Sequence, residues 1–331
     1  MIQHPAILAL LSGSLLSGLI LLYAAGWAVR ILAGWDLASG SDRQLRLERR
    51  TYLVSAVLNA VLAFQVLSVF LFIFTAEDLH GLFVGAMCAA GSLQVNGFGY
   101  PALLLKILNC VLAGLWLLLN HADTRGYDYP LIRVKYALLL GLAPLILAGD
   151  ALQFAYFAGL KADVITSCCG SLFGQEGKGL AAELLALPHR PAMAALAGSM
   201  LAAFLSGWAF LRKGKGGAWF SASSAVASLA AGASLIAWIC LYIYELPTHH
   251  CPFCLLKGEY HHLGYLFYAT LLGGAIAGLG VGVLAPFRGR PSLIRVVPHL
   301  QRRLAWTALL CHGVFLLAAA CSMVFTSFRL E

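Results

Sequence analysis

An all-α, polytopic membrane helix bundle of about eight transmembrane helices, with both termini outside, is the fold class the sequence predicts. Three observations carry it. Of the 331 residues, 61% are hydrophobic and only 11% are charged, against roughly 25% charged in a soluble domain. Too little polar surface is left to cover a water-soluble globule, which excludes a soluble enzyme, a nucleic-acid binder and a disordered chain. The apolar residues fall in runs of about 20, the length that crosses a bilayer as a helix, without the period-two alternation of membrane barrel strands. The basic residues, finally, concentrate in alternate connecting segments.

Taken in order, the runs cover 7–29, 53–75, 98–119, 134–158, 191–211, 218–242, 263–285 and 304–326. The first opens with MIQHP, has no basic stretch ahead of it and exceeds the apolar core of a signal peptide, so a retained helix is expected there. The segments after helices 1, 3, 5 and 7 hold 16 of the 22 Lys and Arg residues. Loops rich in these residues stay cytoplasmic, which puts both termini outside. The formal charge of +8 is therefore a topology signal. A nucleic-acid footprint needs its basic residues on one exposed face.

With that orientation the nine cysteines sort themselves. Cys110, Cys240, Cys311 and Cys321 fall within spans, where cysteine is a small buried hydrophobe. Cys88, Cys168, Cys169, Cys251 and Cys254 fall in outer segments, facing the compartment where disulfides form and persist. The stretch 248–268, THHCPFCLLKGEYHHLGYLFY, puts Cys251-Pro-Phe-Cys254 just before or within the first turn of helix 7. Helix-end amides and the nearby Lys257 favour a thiolate there, giving a reactive dithiol suited to thiol–disulfide exchange. The same spacing also serves an inert bridge or half a metal site. In 162–179, ADVITSCCGSLFGQEGKG, the adjacent Cys168 and Cys169 cannot bridge each other without strain, so either a strained, easily reduced bond or a partner elsewhere is expected, the CxxC pair first.

The segment 87–101, MCAAGSLQVNGFGYP, is too short and Gly-rich to cross; it reads as a re-entrant or interfacial loop, either a lid or a relay from Cys88 to the CxxC. Lys106 and Asp150 lie inside spans at similar depth, and an ion pair between them is expected, as a structural tie or as the lining of a quinone or ion pocket.

Helices 4 to 7 resemble the four-helix core of the vitamin K epoxide reductase family and its bacterial quinone-linked disulfide-bond relatives. The residues that carry the resemblance are Asp163, Val164, Cys169, Phe173, Gly177 and Gly179 in one outer loop. They are joined by Tyr242, Tyr244, Glu245 and Leu246 ahead of Cys251, Pro252, Phe253, Cys254 and Leu255. The resemblance implies three N-terminal helices over 1–131, a redox core over 132–286 and a last helix over 287–331. It implies that Cys254 passes electrons to a membrane quinone, that Cys251 exchanges with Cys168 or Cys169, and that these meet a separate thioredoxin-like or other dithiol protein outside a bacterial inner membrane. His261 or His262 would donate the proton, with Lys106 and Asp150 near the quinone. The adjacent loop cysteines and the crowd of histidines depart from the family pattern.

Those histidines support a rival. His249, His250, Cys251, Cys254 and His261 could hold a thiophilic metal such as Cu(I), Zn or Hg(II), because Cys254 and His261 share a face if helix 7 is continuous through them. A third reading is a membrane subunit whose outer cysteines staple loops. No Walker A, dinucleotide-binding or CxxCH haem motif occurs, which argues against an ATP-driven pump or a covalent cytochrome.

Overall fold

The computed structural model describes residues 3–37, 39–161, 164–166, 188–326 and 328. Among them every regular element is helical, and eight helices are long and apolar enough to cross a membrane. In chain order the described α-helices begin with α1 (Pro5–Gly34), α2 (Asp42–Asp78), α3 (Ala89–Gln94), which is too short to cross, α4 (Gly99–Asp123), α5 (Ile132–Ala158) and α6 (His189–Lys213). Next comes α7 (Gly217–Ser234), which runs through a π-helical turn, Leu235–Ile239, into α8 (Cys240–Tyr244); α9 (Leu263–Leu284) and α10 (Val296–Val324) complete the chain.

Local chemistry sets several of the ends. Pro5 opens α1 at the first helical position, where its missing N–H is no loss. Gly214 closes α6 at φ 66, the left-handed conformation that glycine adopts without penalty. The helix α2 is longer than the apolar run at 53–75, because its charged first turns stay helical beyond the apolar part.

The described residues group into two compact units. The first comprises Met1–Thr75, Asn96–Leu160 and Pro286–Leu300; the second comprises Ala76–Val95, Lys161–Ala285 and Gln301–Glu331. The helix over 132–158 lies in the first unit, where it packs on α1 and α4. Close packing marks the α4 contact: a Cβ on Gly149 of α5 would stand 3.0 Å from Asn109 Nδ2 of α4, which donates to Leu145 O of α5, so a larger residue would press on that hydrogen bond.

The first unit also buries an ion pair that the sequence assigns to an inner loop. Lys135 Nζ lies 2.6 Å from Asp123 Oδ2, with the two side chains 1% and 0% exposed. Lys135 also donates to Ser55 Oγ at 3.1 Å and Asn120 Oδ1 at 3.0 Å. The other carboxylate oxygen accepts the Leu131 N–H at 2.7 Å, which closes the turn between α4 and α5.

In the second unit Gly274, Gly278 and Gly282 recur every four residues along one face of α9. A Cβ on Gly278 would stand 1.9 Å from Ser224 Oγ, and one on Gly282 would stand 2.4 Å from Ser221 Oγ, so α7 and α9 touch nearly backbone to backbone.

Candidate thiol site

The second unit gathers three cysteines. Cys88 follows α2 and precedes α3; its extended backbone (φ −162) makes it the cap residue of that short helix. Glu77, in the last turn of α2, accepts the N–H of Ala89 at 2.6 Å and so fixes the backbone beside Cys88. The turn between them needs Gly85 at φ 82, where a Cβ would stand 2.2 Å from the Thr166 carbonyl oxygen. Thr166 N–H donates to Val84 O at 2.9 Å, so the segment leading toward Cys168 in sequence is tied to the Cys88 turn.

Cys251 and Cys254 lie on a separate piece of backbone. Pro252–Leu256 is a 3-10 helix with Cys251 as its N-cap. Side chains three apart eclipse on such a helix, which turns both sulfurs to one side. Tyr hydroxyls pin it: Tyr244 donates to the Cys251 carbonyl and Tyr268 to the Pro252 carbonyl, each at 2.7 Å.

The result is a triangle. Cys88 Sγ is 3.5 Å from Cys251 Sγ, and the sulfurs of Cys88, Cys251 and Cys254 all lie within 4.8 Å of one another. Their residues are 0%, 1% and 6% exposed, so the triangle is closed to bulk water. Its negative charge sits on Cys254. The Cys254 thiol is pulled down to about 4, first because Cys251 and then Cys88 donate hydrogen bonds to its sulfur, with Lys257 adding attraction; burial and the Glu77 carboxylate oppose. The Cys251 thiol is pushed well above the ordinary range by the same hydrogen bonds seen from the donor side, and by burial. Cys254 carries the charge because it is the sulfur that both other thiols donate to, and the positive charge of Lys257 adds to this.

The expected continuous helix through the CxxC and the histidines does not form. Lys257 leaves the 3-10 helix with ψ 152, a second 3-10 turn spans Gly258–Tyr260, and His261 and His262 both adopt left-handed φ (52 and 55) before α9 starts at Leu263. Cys254 and His261 therefore do not share a helix face, and both histidines are exposed. His262 donates from Nδ1 to the Leu256 carbonyl. His250 donates from Nδ1 to Ile236 O of the π turn at 3.0 Å, and burial pushes its pKa down. His249 packs edge-on against Tyr244 at 4.6 Å between ring centroids. Among the described residues, the close group of potential metal ligands is the cysteine triangle, with no histidine in it.

Cys168 and Cys169 lie outside the described residues. Lys106 and Asp150 belong to the first unit, and His261 and His262 to the second. Lys106 and Asp150 feel each other's charge but form no contact pair: Lys106 Nζ donates to Ser68 Oγ at 3.4 Å and lies 5.8 Å from the Phe72 ring centroid, while Ser14 and Gln65 stand beside the Asp150 carboxylate. Sequence reasoning treated Cys88 as a relay residue or part of a lid and missed Glu77 altogether. A single acidic residue in the last turn of a span is no signal by itself. The two tyrosines were noted only as part of a motif, and their hydroxyl donors could not be assigned without the fold. No protein-family model matches the chain, and no curated protein or solved structure matches it either.

Proposed function

We propose that the protein is a membrane thiol–disulfide oxidoreductase in which Cys251 is the central sulfur, exchanging between Cys88 and Cys254. The observation that carries this is the 3.5 Å approach of Cys88 Sγ to Cys251 Sγ, with Cys254 Sγ inside the same 4.8 Å group. In the exchange step Cys88 loses its proton and its sulfur attacks Cys251 Sγ of a Cys251–Cys254 disulfide that the quinone has formed. The Cys88–Cys251 bond forms, the Cys251–Cys254 bond breaks, and Cys254 leaves as a thiolate, ready to be oxidised again. The low pKa of Cys254 makes it the leaving sulfur without an external acid.

The net reaction is oxidation of a dithiol on a separate thioredoxin-like or other dithiol protein, with two electrons and two protons passing to a membrane quinone. Cys168 or Cys169 is the shuttle to that partner, and the cysteines face outward from a bacterial inner membrane. When bound, a quinone supplies two-electron acceptance. His261 and His262 do not fit the role of holding it, since they stand on an exposed turn with the His262 Nδ1 already spent on a carbonyl. No step is routed through them.

A second reading has its own observation. Three thiolates around one soft cation, at about 2.3 Å each, stand about 4 Å apart, which matches a triangle with all sulfurs within 4.8 Å. One experiment separates the two: thiol state by alkylation and mass spectrometry before and after quinone addition, with metal content on the same sample. Metal-free protein whose Cys251 and Cys254 close a disulfide on quinone addition, and in which Cys254→Ser traps a Cys88–Cys251 bridge, is the expected result. Stoichiometric metal with thiols that quinone leaves untouched would overturn it.

A further inference from the structure

The first unit gathers two arginines that the thiol chemistry does not use. Arg30, near the end of α1, and Arg50, in α2, stand over the same ring: their guanidinium carbons lie 5.0 and 5.4 Å from the centroid of Trp27. Both residues are exposed, and neither forms an ion pair among the described residues. Two like charges held at one indole attract an anion.

From the arginines a groove leads into the membrane. The helices α1 and α2 run antiparallel, since Arg43 lies against Gly34, Arg50 against Trp27 and Phe64 against Gly13. Going deeper into the span, Trp27, Tyr23 and Leu19 follow Arg30 at helical spacing on α1, while Leu53 and Val57 follow Arg50 on α2. Leu19, Tyr23, Leu53 and Val57 join Arg50 in lining a groove of about 450 Å³. All four are exposed, so the groove opens to lipid along its length. From Arg30 to Leu19 is about 16 Å at 1.5 Å per residue, roughly half of a hydrocarbon core of about 30 Å. The groove is one leaflet deep, with its positive end at the membrane surface.

A soluble anion would neutralise the guanidinium groups but leave the groove to bulk lipid. A neutral lipid would fill the groove but leave the arginines without an anion. A molecule with a net negative phosphate head and a chain one leaflet long satisfies both, and planar guanidinium forks suit phosphate oxygens. From this we infer that the groove between α1 and α2 is a binding site for an anionic phospholipid, its head held by Arg30 and Arg50 and one chain lying along Tyr23, Leu53 and Val57. The inference does not depend on the cysteines.

The test titrates full-length protein in detergent micelles with dioleoylphosphatidylglycerol or dioleoylphosphatidylcholine and counts bound lipid by native mass spectrometry. A single phosphatidylglycerol binds, preferred over phosphatidylcholine roughly thirtyfold, the value for two arginines beside an anionic head. Arg30→Gln with Arg50→Gln abolishes the preference. Arg46→Gln with Arg49→Gln removes the same charge from exposed neighbouring positions and leaves the preference in place. Val57→Trp, which fills the groove from a lipid-facing position, weakens phosphatidylglycerol binding without lowering the melting temperature. Glycerol 3-phosphate, a head without chains, does not displace the bound lipid. Equal affinity for the two lipids, or an undiminished preference in the Arg30 and Arg50 variant, overturns the inference. An equal loss in the Arg46 and Arg49 variant also overturns it and leaves a diffuse basic surface, while displacement by glycerol 3-phosphate leaves an anion site with no use for the groove. Were the Arg30 and Arg50 variant not to fold, Val57→Trp and the displacement would still decide.

Discussion

Lys135 and Cys254 are both buried ionisable groups, yet their surroundings differ in kind. Lys135 has a partner for each of its three protons: Asp123, Ser55 and Asn120. Asp123 spends its second oxygen on a backbone N–H. Every charge there has one place to be, so the cluster resists rearrangement. Cys254 belongs to three like groups of which it alone carries the charge, Cys251 and Cys88 serving as its hydrogen-bond donors. Shifting the bond among them needs little movement, because the three sulfurs all lie within 4.8 Å of one another. A fully assigned polar cluster holds a fold; a degenerate one can turn over.

The largest effect should come from breaking the assigned cluster. Lys135→Met leaves Asp123 buried without its cation and should cost about 3–5 kcal/mol, read as a lowered unfolding midpoint in mixed micelles. Lys135→Met combined with Asp123→Leu should recover much of that loss, since the uncompensated charge is gone. If the single change were nearly neutral, the pair would not be the tie between α4 and α5 that its geometry indicates.

At the triangle the balance reverses. Cys88→Ala and Cys254→Ser each remove or exchange one atom in a packed site and should cost about 1 kcal/mol. Both should abolish quinone-linked thiol oxidation, measured with a small dithiol donor. Cys110→Ala, a buried cysteine of the first unit, is the control: comparable stability loss and unchanged oxidation.

Much of this contrast lay beyond the sequence. The eight spans were legible because apolar run length is a local property, and the CxxC was legible because its spacing is. The cluster around Lys135 was not: positive-inside counting assigned Lys135 and Asp123 to a solvated loop, and only packing shows that they face each other. Cys88 could be assigned to an outer segment, but its approach to Cys251 depends on Gly85, Glu77 and Thr166, residues that advertise nothing singly. The histidines misled for a physical reason. A helix read through 251–268 ignores that His261 and His262 take left-handed φ, a choice made by the two 3-10 turns packed ahead of them. The packing of the helix over 132–158 on α1 and α4 was likewise a matter of tertiary contact that run length does not report.

The smallest and most diagnostic effects concern the charge on the triangle. The Cys254 pKa lies below the ordinary thiol value of 9, at about 4, so its thiolate absorbance should persist as pH falls through neutrality and disappear only near that value. Lys257 favours the thiolate and Glu77 opposes it. Lys257→Met should therefore move the midpoint up, and Glu77→Gln should move it down, both by less than Cys88→Ala, which removes a hydrogen-bond donor and should move it up. Glu77→Gln has a second consequence that separates charge from position. An amide oxygen can still accept the Ala89 N–H, so the Cys88 turn should keep its place and disulfide trapping between Cys88 and Cys251 should survive. Glu77→Ala removes that acceptor as well, and trapping should fall. Equal trapping in both variants would mean that Glu77 acts through its charge alone and that the backbone beside Cys88 is held by the Val84–Thr166 contact instead.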